Sequence, residues 1–306
     1  MPEIIETETL ETPLSDGIMP LSLAGEGTQE NPYQITTVAE FRSMNDSEAY
    51  YKLMNDLDVN DSEWAADWGS VTLAYADFDG DGHEIRNFHC TTASFLTIAS
   101  GSGEFHNCKL LNIFCTFSGS NAYFIYSSDR PIFAECEITV TSTSASWNTA
   151  NFRNISFSRC AITLQGVCGV PFYNCFLDKC MVKFVDCLII NSNSTVLFYR
   201  SNTEKVTQSC FLGKIKLGAN LTSGGLIECH SSYRAQSVYV ALEIDKNGFA
   251  ISTTANLMSI SNPTNTCFYD VELMGHTFAT QTNVHALTTE QCKDKDYLNS
   301  IGFLVV

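Results

Sequence analysis

CKLLNI at 108–113 opens a strand motif that the chain writes again as CEITV at 136–140, CAITL at 160–164, CLII at 187–190, CFLGKIKL at 210–217, SVYVALEI at 237–244 and CFYDVEL at 267–273. Each copy starts with Cys or Ser and continues with alternating aliphatic residues. The starting positions are separated by 28, 24, 27, 23, 27 and 30 residues. A second thread keeps step with the first through Phe95, Phe124, Phe152, Phe172, Phe198, Ile227 and Met258, and Phe105, Phe133 and Phe157 each precede a motif cysteine by three. Short alternating runs read as half-buried strands, and self-similarity at a shared period reads as a repeat architecture. A chain that returns to the same azimuth every coil lays each cysteine over the last at the strand spacing of ~4.8 Å. The sequence therefore predicts a right-handed parallel β-helix, a solenoid of roughly seven coils. Its expected structural ladder is Cys108, Cys136, Cys160, Cys187, Cys210 and Cys267, with Ser237 standing in once. Cys175 and Cys180 crowd the stretch before Cys187, and the spacing leaves open which thiol holds the rung there. A β-propeller needs a longer period, and the Leu and Asn signature of a leucine-rich repeat is missing.

Composition agrees with strands and turns: 44% of the 306 residues are hydrophobic and only 17% charged. The balance of 34 acidic against 17 basic residues gives a net charge of −17 with no basic cluster, so neither nucleic acid nor an anionic membrane surface is an expected partner. No apolar run is long enough to insert into a bilayer. The opening MPEIIETETLETPLSDG is acidic where an export signal would be basic, and it lacks an apolar core. Thirteen cysteines, an odd number without paired CxxC units, read as buried thiols rather than disulfides or a zinc site, and thiols in that number point to assembly in a reducing compartment. No cofactor and no metal ion is expected.

Stacked coils leave open edges that must be covered. Thr37-Val38-Ala39-Glu40 and Thr288-Thr289-Glu290-Gln291 both have the spacing of a capping box, so a helix is expected near each end, the second running through Cys292 and Leu298 to Gly302. The chain then divides into an arm at 1–24, an N-terminal cap with the first coils at 25–90, the β-helix at 91–286, and a C-terminal capping helix and tail at 287–306.

The segments GEGTQENPYQITTVAEFRSMND (25–46), AYYKLMNDLDV (49–59) and FDGDGHEIRNF (78–88) resemble the opening of right-handed parallel β-helix surface and virion proteins of bacteria and bacteriophages. TTEQCKDKDYLNSIGF (288–303) is similar to their closing segment. The resemblance covers residues 24–88 and 287–303 and specifies fold far more than function, since such proteins include adhesins, fibres and spikes.

Chemistry is sparse in the sequence. Asp77, Asp79, Asp81 and Gly82 imitate the first half of a calcium loop, but the twelfth position is Phe88 instead of a bidentate Glu, which favours a solenoid turn. Asp178, Lys179, Lys183 and Asp186 form the best run for glycan cleavage, yet their alternation with Cys180, Val182, Phe184 and Cys187 is that of any half-exposed strand. No catalytic residue is assigned. Tyr173, Tyr199 and Tyr233 are candidates for glycan or subunit contacts. In the arm, Ile4, Ile5, Leu10, Leu14 and Ile18 are candidates for docking onto a partner.

Phage particles assemble in the host cytoplasm and leave by lysis, so their β-helices need neither export signal nor disulfides. The expectation is a non-enzymatic virion subunit, a fibre, spike or decoration protein. Residues 1–24 would bind other virion proteins, the solenoid would meet a host glycan or receptor, and homotrimers would form as in phage spikes. A bacterial surface adhesin or carbohydrate-binding protein, and a polysaccharide lyase or hydrolase, are the competing readings.

Overall fold

Alternation between buried and outward side chains sets the strands. In Glu137–Thr143 the buried positions are Ile138, Val140 and Ser142, and in Ser156–Ser158 only Phe157 turns inward. The computed structural model describes residues 23–44, 49–68, 71–73, 77–91, 96–98, 103–116, 123–127, 131–143, 150–190, 197–199, 205–221, 225–228, 235–259 and 267–300. The strands stack in parallel into three sheets of 9, 11 and 8 members. Each coil passes through the three sheets in turn, as Asp77–Asp79, Glu84–Arg86 and Leu96–Ile98 do. The protein is a parallel β-solenoid with a few short helices.

The interior is a set of files running along the axis. In the first sheet Tyr51, Phe78, Phe105, Phe133, Phe157, Leu177 and Val206 lie in register. The rings of Phe78 and Phe105 stack at 4.3 Å between centroids, and those of Phe105 and Phe133 at 5.1 Å. In the third sheet the aligned residues are Leu96, Ile125, Phe152, Phe172, Phe198, Ile227 and Met258. Ile125 therefore takes the place expected of Phe124, whose buried ring instead meets Phe152 edge-on at 5.8 Å. Phe95 lies outside the described residues.

The cysteine ladder stands at the corner between the first and second sheets. Its register runs through Lys109, Glu137, Ala161, Met181, Cys210, Tyr239 and Phe268, so the residues just before them, Cys108, Cys136, Cys160, Cys180, Ser209, Val238 and Cys267, share the corner. This corrects three expected rungs. Cys180 replaces Cys187 because the coil from Cys160 is short. Cys187 sits beyond a bulge deeper in its strand, opposite Ile215. Cys210 is one residue past the rung and only half-buried, and Val238 replaces Ser237. The coils measured at this corner are 28, 24, 20, 29, 29 and 29 residues long.

A local reason selects Cys and Ser there. The residue before the rung adopts a left-handed conformation, with φ of 51° at Asn107, 55° at Glu135, 53° at Arg159, 54° at Lys179 and 46° at Gln208. Such a backbone costs roughly 1–2 kcal/mol at a non-glycine residue, least at Asn, but it turns the chain in a single step. At Cys136, Cys160, Cys180 and Ser209 the rung side chain then donates to the carbonyl two residues earlier, whereas Cys108 Sγ reaches Lys109 O at 3.8 Å and Val238 has no donor. Cys136 Sγ reaches Ala134 O at 3.2 Å, Cys160 Sγ reaches Ser158 O at 3.4 Å, and Ser209 Oγ reaches Thr207 O at 2.7 Å. Cys175 repeats the arrangement at another corner, following Asn174 with φ 62° and donating to Tyr173 O at 3.4 Å. The small donor gives each carbonyl a second hydrogen bond beside the one it accepts from the neighbouring coil, where Asn107 N–H meets Ala134 O at 3.0 Å, Glu135 N–H meets Ser158 O at 2.9 Å and Lys179 N–H meets Thr207 O at 2.9 Å.

Among the described residues none of the twelve cysteines is in a disulfide, and ten of them are buried. Cys90, Cys115, Cys168 and Cys187 form a second buried group, in which Cys90 and Cys115 are in register. Burial pushes the Cys115 thiol well up, and contact with Cys168, followed by burial, does the same to Cys187.

Both expected capping boxes are present. Thr37 caps Val38–Ser43 with Glu40 reaching back, and Thr288 caps Thr289–Lys293 with Gln291 reaching back. The expected single C-terminal helix is two, because Asp294 ends the first in an extended conformation and its carboxylate accepts the Tyr297 N–H of Lys295–Ser300 at 3.0 Å. Gly302 lies outside the described residues. Asp270, almost wholly buried, caps a further helix, Val271–Met274, and accepts from Thr289 Oγ1 at 2.9 and 2.8 Å.

Candidate functional site

Once a file of rings is fixed inside the first sheet, the residues flanking each ring must point outward. Around Tyr51, Phe78 and Phe105 these are Tyr50 and Lys52, Asp77 and Asp79, and Glu104 and His106, aligned on neighbouring strands. The result is a grid of six outward side chains with rungs ~4.8 Å apart. Above it folds the opening loop. Gly25 and Gly27 turn that loop with φ of 101° and 73°, and Gly27 accepts the Tyr50 N–H at 2.9 Å. A Cβ on Gly27 would stand 2.6 Å from the Tyr33 ring, so the loop needs glycine to lie this close. Gln29, Glu30 and Pro32 complete a cleft of about 580 Å³ with Tyr50, Tyr51, Lys52, Asp77, Asp79, Glu104 and His106.

Several of these groups are already engaged. Asp77 Oδ1 accepts the Glu104 N–H at 2.8 Å, which fixes its carboxylate in the floor. Asp79 Oδ1 accepts the Asp81 N–H at 2.8 Å and lies 3.5 Å from His106 Nδ1. Lys52 Nζ is 3.0 Å from Asp81 Oδ2, and that bond raises the lysine pKa. The Glu30 and Glu104 carboxylates and the Tyr50 hydroxyl have no hydrogen-bond partner among the described residues. Along the same face the next positions are small or apolar: the buried Ala134 and then Ser158 follow His106 before Asp178, while Ile132, Ser156 and Phe176 follow Glu104.

The calcium-like triplet is thus divided among three partners, Glu104 N–H, Asp81 N–H with His106, and Lys52. Among the described residues no group of three His, Cys, Asp or Glu is arranged to hold a metal ion. The turn carrying them is longer than the later corners, and Gly80 passes over Cys108 so closely that a Cβ would stand 2.5 Å from its Cα.

The other candidates fall elsewhere. Asp178 faces outward from the first sheet and accepts the Thr207 hydroxyl, whereas Lys183 projects from the second sheet and Asp186 occupies a left-handed bulge 3.9 Å from Lys214. The structure does not bring the two carboxylates together. Tyr173 aligns with Arg153 and Tyr126 on the third sheet, with Tyr199 next in register. The Arg153 guanidinium lies 4.9 Å from the Tyr173 ring centre and 5.0 Å from that of Tyr123, so one face of Tyr173 already holds a cation. Tyr233 and the arm residues Ile4, Ile5, Leu10, Leu14 and Ile18 lie outside the described residues. No helix among the described residues is long and apolar enough to cross a membrane.

No protein-family model and no curated protein matches the chain. Among solved structures it is similar to one titled a putative immunoglobulin A1 protease from Bacteroides ovatus, at 14% identity and a TM-score of 0.47, over 90% of this chain and 89% of that one.

Proposed function

We propose that the chain is a non-enzymatic structural and attachment subunit of a bacteriophage particle, a fibre, spike or decoration protein anchored through residues 1–24. The carrying observation is the interior of unbridged thiols, ten of them buried, in a rod whose corners use the thiol as a hydrogen-bond donor. Such a core suits folding where thiols stay reduced, as in a host cytoplasm before lysis. The acidic surface suits a partner other than nucleic acid. Mass spectrometry of purified particles tests the reading: the chain should be recovered at fixed stoichiometry, and its absence from every particle fraction would remove the proposal. Deleting residues 1–24 should abolish incorporation, and light scattering of the soluble chain should report a trimer.

A second reading, a bacterial surface adhesin or carbohydrate-binding protein, is favoured by the cleft beneath Glu30 and Pro32. Surface biotinylation of a bacterium that expresses the chain tests it, since an adhesin would be labelled on intact cells.

A further inference from the structure

We infer that the cleft over Tyr50, Asp77 and Glu104 binds a neutral, hydroxyl-rich oligosaccharide that lies along the solenoid axis. The inference rests on the attachment half of the proposed function and supplies its ligand class. At about 580 Å³ the cleft falls within the range of small-molecule sites.

Its polar groups specify what can enter. Glu30, Asp77 and Glu104 are acceptors, and hydroxyl groups are the donors that match them. A uronate, sulfate or phosphate would meet these carboxylates without a free cation, because Lys52 is held by Asp81 and His106 lies against Asp79. The half-buried Tyr50 ring and the Pro32 ring offer apolar surface for the C–H face of a sugar, as the aromatic linings of such sites do.

The direction follows from the rungs. Acceptors repeat from one strand to the next, and beyond Glu104 the same file continues through Ile132, 39% exposed, to Ser156, with Ser158 two residues along the same strand. A chain of sugars can therefore continue along the axis. The sheet fixes the backbone beneath these side chains and the Glu104 N–H holds the Asp77 carboxylate at 2.8 Å, which limits the entropy lost on binding. At Tyr173, by contrast, Arg153 takes a ring face that a sugar would need.

The test is titration calorimetry of the full chain with cellohexaose, maltohexaose and chitohexaose as neutral probes, and with hexagalacturonate and hexalysine as charged ones. At least one neutral hexamer should bind saturably, and neither charged probe should compete with it. Glu104→Gln, which keeps the side-chain shape, and Tyr50→Ala should each weaken binding about tenfold or more. Tyr173→Ala should leave binding unchanged, and the melting temperatures of all three variants should show that they fold. The inference is overturned if no neutral hexamer binds, if binding survives both cleft substitutions, or if hexalysine or hexagalacturonate takes the site instead. Binding by a chain that particles lack would overturn the virion reading alone, and a virion chain that binds no hexamer would overturn this inference alone.

Discussion

Ser209 stands one coil beyond Cys180 at the same corner, accepts the Cys180 N–H at 3.0 Å, and donates to Thr207 O as Cys180 Sγ donates to Asp178 O at 3.3 Å. The hydroxyl and the thiol perform one task, which is to add a second hydrogen bond to a carbonyl that already accepts the N–H of a left-handed residue one coil back, Lys179 for Thr207 O and Arg159 for Asp178 O. The ladder is therefore a hydrogen-bonding device as well as a packing one.

Cys160 tests that equivalence. Cys160→Ser keeps a donor of similar size and should cost less stability than Cys160→Ala, which removes the bonds to Ser158 O and Phe133 O, 3.4 and 3.1 Å from the thiol, and leaves Ser158 O with the Glu135 N–H alone. A hydrogen bond of this kind contributes about 0.5–1.5 kcal/mol net. Urea denaturation of both variants measures the difference, and equal losses would show that packing alone selects the thiol.

Thiol reactivity should follow burial. Contact with Cys136 pushes Cys160 up to about 12, and burial pushes Cys267 up to about 11, so neither supplies thiolate near neutral pH. Burial, followed by the charge of Asp270, also pushes Cys292 up to about 11. Cys210 and Cys292 are nevertheless the half-buried ones. Among the described cysteines, iodoacetamide on the native chain should label these two first, read by peptide mass spectrometry, with the ladder thiols reacting only in denaturant.

Acid should loosen the N-terminal cap. Burial opposes the charge on Glu40, but hydrogen bonds from Thr36 at 2.7 Å and from Thr37 at 2.9 Å outweigh it and hold the carboxyl below its usual range. Its folded pKa is thus lower than its unfolded one. The contribution to stability is complete above the unfolded value and disappears as pH falls through the folded value. Glu40→Gln should flatten the fall in melting temperature between neutral pH and about pH 3, without abolishing it, because Asp56 and Asp58 are also lowered.

Asp270 should govern the other end. Its carboxylate caps the Leu273 N–H at 2.9 Å and receives the Thr289 hydroxyl, tying two helices over Phe268, Leu287 and Leu298. Asp270→Ala leaves both donors without their acceptor and removes a helix cap, worth about 0.5–2 kcal/mol for the cap alone. Hydrogen exchange should accelerate over 271–298 more than in the central coils, whereas a uniform acceleration would contradict a local role.

Phe133 and Phe114 separate core from surface. Phe133 is fully buried in the ring file, and its replacement by Ala should cost about 3–5 kcal/mol. Phe114, 43% exposed, should tolerate Ala within about 0.5 kcal/mol.

The sequence carried the solenoid because an outward–inward alternation recurred with thiols and rings at its landmarks. It misled where spacing was treated as uniform. The coil from Cys160 to Cys180 is 20 residues long, so a reader expecting even intervals passes over Cys180 and lands on Cys187. Ile125 was hidden behind the more conspicuous Phe124. The cleft was partly legible in hindsight. Once Phe78 and Phe105 share a file, Asp77, Asp79, Glu104 and His106 must face out together. What the sequence could not supply is the fold-back of Gln29, Glu30 and Pro32, which depends on Gly25 and Gly27.

The unbridged interior also makes the fold a one-way object once it meets oxygen. Closed, the rod shields its sulfur atoms from oxidants. Opened by heat in air, it would expose thirteen reactive groups at once, and random cross-links would compete with the restacking of the coils. Durability in air would then rest on how seldom the chain opens, rather than on how readily it closes again.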